Sequence, residues 1–309
     1  MLKYQSMKKL FTLERTPYII LIFIAILAII FGSFFDLQLS QSVVNINDGF
    51  GHFLETVGLI PAFIIMSFIG TLIFKGLKDN KHIALKIVGW LALVICFAAS
   101  TYFTADILKQ ADPSLTIYVN YPMSWLVGVL VSAAYLAFSL YFIKSDDKMG
   151  MLRLGLMLLV CSLLVFGLYS LLKIFAGRPR YRAVINPEVA TEFRNWWEFK
   201  RYTGDAQFKD YFKSWPSGHS AICTWALGCA LVTPFFRKKG NHTQLILEII
   251  AVIYILLIIT SRIRVGAHYL SDTGFGLLIG SSMFLAGKEI FDHIKFFKPK
   301  TENIEELQA

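Results

Sequence analysis

The chain has 309 residues, 56% of them hydrophobic and only 17% charged. With a mean hydropathy of +0.58 it carries more apolar side chain than a soluble domain of this length needs, which describes a polytopic membrane protein and excludes an ordinary soluble enzyme. The formal charge of +9 is no nucleic-acid footprint, because the basic residues stand in short clusters between apolar runs, as an orientation signal does.

A membrane helix needs about 20 apolar residues. After a basic start (1–15), which with the run behind it reads as a first membrane helix rather than a cleaved leader, runs of that kind fall at 18–35, 53–74, 83–104, 124–143, 151–175, 218–236, 245–261 and 269–291. The predicted fold is all-α, a polytopic bundle of about eight transmembrane helices in one integral domain. It divides into N-terminal helices (1–150), a motif-bearing half (151–291) and a polar tail (292–309). Lys3, Lys8, Lys9 and Arg15, then Lys75, Lys78 and Lys81, then Lys144, Lys148 and Arg153, then Arg237, Lys238 and Lys239, then Lys288, Lys295, Lys298 and Lys300 form five basic groups. Eight crossings put all five on one side, so the sequence predicts a cell-membrane protein with both termini cytoplasmic.

The exception is the predicted outer loop 176–216, where arginine and lysine alternate with Phe193, Trp196, Trp197, Phe199, Tyr202 and Trp215. Beside a membrane this composition reads as an interfacial segment rather than a single-strand nucleic-acid platform. Cys96, Cys161, Cys223 and Cys229 all lie inside apolar runs and read as packing residues. His52, His82, His242 and His293 read as interfacial.

Three stretches carry ionisable groups where apolar runs end, which marks them as functional. Lys173 and Arg180 close the fifth run. Pro216-Ser217-Gly218-His219 opens the sixth, with Ser217 as an N-cap and Gly218 allowing close approach of a ligand. Ser261, Arg262, His268 and Asp272 span the turn between the seventh and eighth. His268 and Asp272 are four apart, so a helix beginning near His268 would set both on one face, with the carboxylate orienting the imidazole. An anion site holding an oriented histidine points to phosphoryl chemistry.

These stretches resemble the three signature motifs of the type-2 phosphatidate phosphatase superfamily, the integral-membrane lipid phosphate phosphatases. The second and third motifs match in full. The first, Lys, six residues, Arg, Pro, matches at Lys173 and Arg180 but has Tyr181 in place of the proline; Arg178-Pro179 is an alternative pairing with shorter spacing. The resemblance implies a six-helix core, with two further helices among those before residue 151. It implies His268 as the nucleophile, Asp272 as the acceptor of its other N–H, and His219 as the general acid. Lys173, Arg180, Ser217, Gly218 and Arg262 would surround the phosphate, with no metal and no cofactor required. The implied partners are a lipid phosphate and membrane lipids, and no nucleic acid. The expected function is a phosphatase acting at the extracytoplasmic face on undecaprenyl diphosphate, phosphatidate or phosphatidylglycerophosphate. A lipid-linked phosphotransferase and a non-catalytic lipid-phosphate carrier are the alternatives. Vanadate, a phosphate mimic, should inhibit.

Overall fold

The structure, a computed structural model, describes residues 15–109, 120–237, 240 and 242–293. The basic residues Lys3, Lys8, Lys9, Lys238 and Lys239, most of the predicted loop 105–123 and nearly all of the tail 292–309 lie outside the described residues.

The first helix, α1 (Thr16–Val43), has Pro17 in its opening turn, where a missing N–H costs nothing. Its buried residues Tyr18, Leu21, Ala25, Gly32, Asp36 and Ser40 recur at helical spacing along one stripe. The stripe lies against the last helix, α11 (Leu270–His293). Small residues permit the close crossing: a Cβ on Gly32 would sit 2.6 Å from the Ser271 amide nitrogen, and one on Gly274 would sit 2.9 Å from the Ala25 carbonyl oxygen.

The second span is interrupted. Helix α2 (Gly49–Val57) passes into a 3-10 turn at Ile60–Phe63, where Pro61 removes a helical donor, and continues as α3 (Ile64–Leu77). Residues 65–73 of α3 are buried on every side, which makes it the hub of the bundle. Helices α4 (Ile83–Lys109) and α5 (Tyr121–Phe142) pack on α3 and on each other. Hydroxyl pairs stitch them together, Ser132 to Ser100 at 3.0 Å and Thr71 with Ser139 at 2.7 Å. Helix α6 (Lys148–Ala176) starts on an Asp147 cap to the Gly150 N–H and stops at Gly177, whose φ of 52° is the left-handed C-terminal cap.

The predicted sixth span is not one rod. Residues 218–236 form α8 (Gly218–Ile222), α9 (Trp225–Ala230) and a 3-10 turn at Thr233–Phe235. Hydroxyls compete with the helical ladder here, Thr224 Oγ1 donating to the Ala221 carbonyl at 2.6 Å and Thr233 Oγ1 to the Ala230 carbonyl at 2.9 Å. Broken backbone survives at membrane depth only where protein covers it, and Ala221, Cys223, Thr224, Trp225, Leu227, Gly228, Ala230 and Val232 are all buried. The segment still runs the length of α6. Gly218 lies against Tyr169 and Lys173 near that helix's end, whereas Phe236 bridges Ile143 just before its start. Among the described residues seven segments are long and apolar enough to cross a membrane, the interrupted Gly49–Leu77 one of them; the broken 218–236 segment runs beside them, and α10 (Thr243–Arg264) and α11 complete the bundle.

One end of the bundle gathers the described basic groups. Arg15 pairs with Glu289 at 2.8 Å and Lys148 with Asp79 at 2.8 Å, while the Lys144 amide donates to the Phe235 carbonyl at 2.8 Å. The three motif stretches sit at the opposite end.

The 177–217 segment folds over that end and contains the single turn α7 (Tyr181–Val184) and a 3-10 turn at Ala206–Phe212. Most of its rings are packed rather than laid out at an interface. Trp196 donates to Ser33 Oγ at 2.9 Å and meets Phe275 at 4.6 Å, and Tyr202 stacks on Phe212 at 4.1 Å.

Candidate active site

Backbone contacts converge the three stretches. The Arg180 amide donates to the Tyr211 carbonyl at 2.8 Å, and the Arg182 amide donates to the Gly266 carbonyl at 3.0 Å, clipping the first stretch to the third. The Ser217 amide donates to the Asp272 carbonyl at 2.9 Å, fixing the second stretch on the first turn of α11. Ser217 Oγ caps α8 by accepting the Ser220 amide at 3.3 Å. Gly218 has no room for a side chain: a Cβ would lie 2.9 Å from the Tyr169 ring and 3.4 Å from Lys173 Nζ.

Helix α10 ends in a turn with Gly266 at φ 64°, and the amides of Ala267 and His268 both donate to the Arg262 carbonyl. Helix α11 begins at Leu270, so His268 precedes it instead of sharing its face with Asp272. The expected carboxylate–imidazole contact is replaced by a different one. His268 Nδ1 donates to the Ser214 carbonyl at 2.6 Å, which leaves Nε2 as the nitrogen with the free lone pair. Asp272 Oδ2 accepts the Tyr269 amide at 2.9 Å, a reciprocal cap on α11, and also the Ser214 hydroxyl. Ser214 thus stands between the two, with its hydroxyl on the carboxylate and its carbonyl on the imidazole.

Arg178 and Arg180 take separate roles. Arg178 is buried and its donors are spent: on Asp36 at 2.9 Å, Asp272 at 2.5 Å, Ser271 at 2.9 Å and the Arg194 carbonyl at 2.8 Å. Its plane lies over the Tyr269 ring at 4.2 Å. Arg180 Nε is buried without a hydrogen-bond partner in the protein, as are Arg262 Nε and Nη1. Buried guanidinium N–H groups left unpaired cost about 1–3 kcal/mol each, and more when charged, so an anion is their natural complement. Lys173, Arg180, Arg262 and His219 all act electrostatically on His268. Burial foremost, then the charges of Lys173, Arg180 and Arg262, hold the His268 imidazole well below its ordinary pKa of 6.5 and keep it neutral.

Position 181 is the first residue of α7, with Arg180 as its N-cap. At that position an N–H has no helical partner and a proline is tolerated, so tyrosine in place of proline leaves the helix start intact. The Tyr181 ring packs edge-on against Tyr269 at 6.4 Å.

Three participants escaped the sequence reading. Ser214 is one. Glu55 on α2 is another: Oε1 lies 2.8 Å from Arg262 Nη2 and 3.2 Å from Arg182 Nη1, and Oε2 lies 3.2 Å from His52 Nδ1. Its backbone carbonyl is 3.3 Å from His219 Nε2. His52 is therefore part of this cluster rather than a lone interfacial ring. Asp36 is the third. Glu55 lies inside the apolar run 53–74 and Asp36 directly follows the run 18–35, and an ionisable residue at such a place is the signal that could have found them. Among the described residues no three His, Cys, Asp or Glu side chains converge as a metal-ligating group; Arg262 and Arg178 engage these acids instead.

Residues 151–294 match the family model described as PAP2 superfamily. No curated protein and no solved structure matches the chain.

Proposed function

The chain belongs to the PAP2 superfamily, phosphatases of phosphate esters, and on that premise we propose that it is an integral-membrane lipid phosphatase working through a phosphohistidine on His268. The observation that carries this reading is the His268 Nδ1–H bond to the Ser214 carbonyl at 2.6 Å, beside buried guanidinium donors of Arg180 and Arg262 that have no partner in the protein.

In this reading the reacting phosphoryl group sits among Lys173, Arg180 and Arg262, with Ser217 and the Gly218 backbone completing the seat. His268 Nε2 attacks phosphorus as the bond to the leaving oxygen breaks, and His219 protonates that oxygen. The imidazolium formed keeps its Nδ1–H on the Ser214 carbonyl, which Asp272 braces through the Ser214 hydroxyl. Water, deprotonated by His219, then releases phosphate. The fixed cations stabilise the charge that develops on the transferring oxygens, and the chemistry requires no metal. The motif end lies opposite the basic end, which under the positive-inside rule supports an extracytoplasmic site in the cell membrane. Helices α4 and α5, which pack on α3, are the pair added to a core formed by the other six passes.

Phosphate release by the full chain in detergent with chelator, from undecaprenyl diphosphate, phosphatidate and phosphatidylglycerophosphate, tests the proposal. Release that persists in chelator and is lost in His268→Ala and His219→Ala supports it. Release that survives His268→Ala rejects the mechanism, and product carrying the phosphate on an added alcohol would make the protein a phosphotransferase.

A further inference from the structure

Glu55 touches two parts of the proposed chemistry at once. Its Oε1 lies 2.8 Å from Arg262 Nη2, a cation of the phosphate seat, and its backbone carbonyl accepts from His219 Nε2 at 3.3 Å. A general acid must come within about 2.6–3.2 Å of the oxygen it protonates, so the place beside Nε2 where a leaving oxygen belongs is filled by the backbone of α2. A hydrogen bond of that length is weak and yields to a better acceptor. The carboxylate also has another anchor, because the same Oε1 lies 3.2 Å from Arg182 Nη1.

Helix α2 is held loosely. Of its nine residues only Gly51 and Thr56 are buried, whereas residues 65–73 of α3 are all buried, which puts α2 at the low-stability end of the bundle. His52 and Glu55 point toward the arginines, while Phe50 and Phe53, with the same spacing, are 63% and 43% exposed. Such a two-faced helix suits the membrane interface. Its junction with α3 is already broken. Pro61 has no N–H, and the carbonyls of Gly58 and Ile60 beside it accept the hydroxyls of Tyr254 at 2.6 Å and Tyr135 at 3.0 Å. These tyrosines, on α10 and α5, secure the joint, so α2 can turn without α3 following.

We propose that α2 is a lid, closed in this structure, and that Glu55 is the residue the substrate replaces. The phosphoryl takes the carboxylate's place on Arg262, the leaving oxygen takes the carbonyl's place on His219 Nε2, and α2 turns outward about residues 58–61. This rests on the phosphatase reading above. The lipid tail then lies beside Phe50 and Phe53, so substrate reaches the seat from the bilayer past α2. Tyr135 gives the α4–α5 pair a part in this, as the fixed side of the hinge.

The test locks the lid. A Cβ on Gly51 would lie 2.7 Å from Val265 Cγ1, at the end of α10, so Gly51→Cys with Val265→Cys brings two sulfurs within bridging reach. Phosphate release by the cross-linked chain should fall about tenfold or more below that of the same chain after reduction, with oxidised wild type as the control. Cross-linked protein that turns over at the reduced rate overturns the lid and makes Glu55 a fixed positioning residue for His219 and Arg262. A second measurement needs neither the cross-link nor turnover. With the four native cysteines replaced by alanine, spin labels at Phe50→Cys on α2 and Leu163→Cys on α6, positions 63% and 61% exposed in the wild-type chain, report the distance of the lid from the bundle. Hexadecylphosphonate, a lipid-like analogue whose P–C bond does not hydrolyse, should lengthen that distance. An unchanged distribution overturns the lid, and leaves the phosphatase reading intact where the analogue still raises the melting temperature. Lengthening in a chain that hydrolyses no lipid would sink the phosphatase reading while leaving the lid standing.

Discussion

The Asp36 carboxylate, on the first helix, lies 2.9 Å from the guanidinium of Arg178, 142 residues further along the chain. Both side chains are buried, and the same guanidinium holds Asp272 at the start of α11. A helix outside the family-matched segment thus supports the turn that carries His268. Neutralising Asp36 leaves Arg178 paired with Asp272 but weakens the buried acceptor that serves Arg178 and Ser271, and a buried donor left unsatisfied costs about 1–3 kcal/mol. Asp36→Asn should therefore lower the melting temperature clearly and reduce kcat; a melting temperature equal to wild type would contradict this bracing role.

Arg178 and Arg180 should separate in experiment. Arg180→Ala removes a cation that braces no carboxylate pair, so kcat should drop roughly a hundred- to a thousandfold while the melting temperature stays close to wild type. Arg178→Ala opens the Asp36–Asp272 network and should cost stability first. Paired melting curves and phosphate-release rates decide, and a reversed pattern would exchange the two roles.

Glu55 sits 2.8 Å from Arg262, so its carboxylate competes with any incoming anion for that guanidinium. Neutralising it without changing its shape should strengthen anion binding. Glu55→Gln should be inhibited by vanadate at roughly tenfold lower concentration than wild type. Unchanged or weaker inhibition would mean that Glu55 only ties α2 to α10.

Stability should depend on pH through His268. Its pKa in the folded chain lies well below the ordinary 6.5, so below that pH the unfolded chain binds a proton that the folded chain refuses. Its contribution is therefore level above about pH 6.5, and stability declines as pH falls below that value. The nucleophile itself stays neutral in the same range, so the loss of stability precedes any loss of nucleophile. His268→Gln should flatten the melting temperature between roughly pH 7.5 and 5; an undiminished slope in the variant would assign the dependence to other groups.

Much of this was legible because a membrane leaves few options. Apolar runs of spanning length predicted the passes, and the ionisable clusters at 173–180, 216–219 and 261–272 predicted which ends meet. The broken backbone of 218–236 was not legible, because hydropathy is blind to Thr224 and Thr233 bonding back to their own helix. The contact of His268 was misplaced for a geometric reason. The spacing to Asp272 holds only if the helix begins at His268, and it begins at Leu270, which leaves the imidazole to Ser214. Asp36, just past the run 18–35, and Glu55, inside the run 53–74, were not singled out in the sequence, and their partners, Arg178 and Arg262, are brought to them only by the packing of α1 on α11 and of α2 on α10.

The central claim is a covalent phosphate on His268 Nε2, and rapid quenching with a lipid substrate labelled in its terminal phosphate tests it most directly. The account predicts label on the protein that is acid-labile, maps to the peptide containing His268, and is absent from His268→Ala. It also predicts that the label accumulates in His219→Ala when a good leaving group bypasses the need for the general acid, because breakdown then lacks its base. Turnover with no labelled protein at any quench time, or label on another residue, would contradict it.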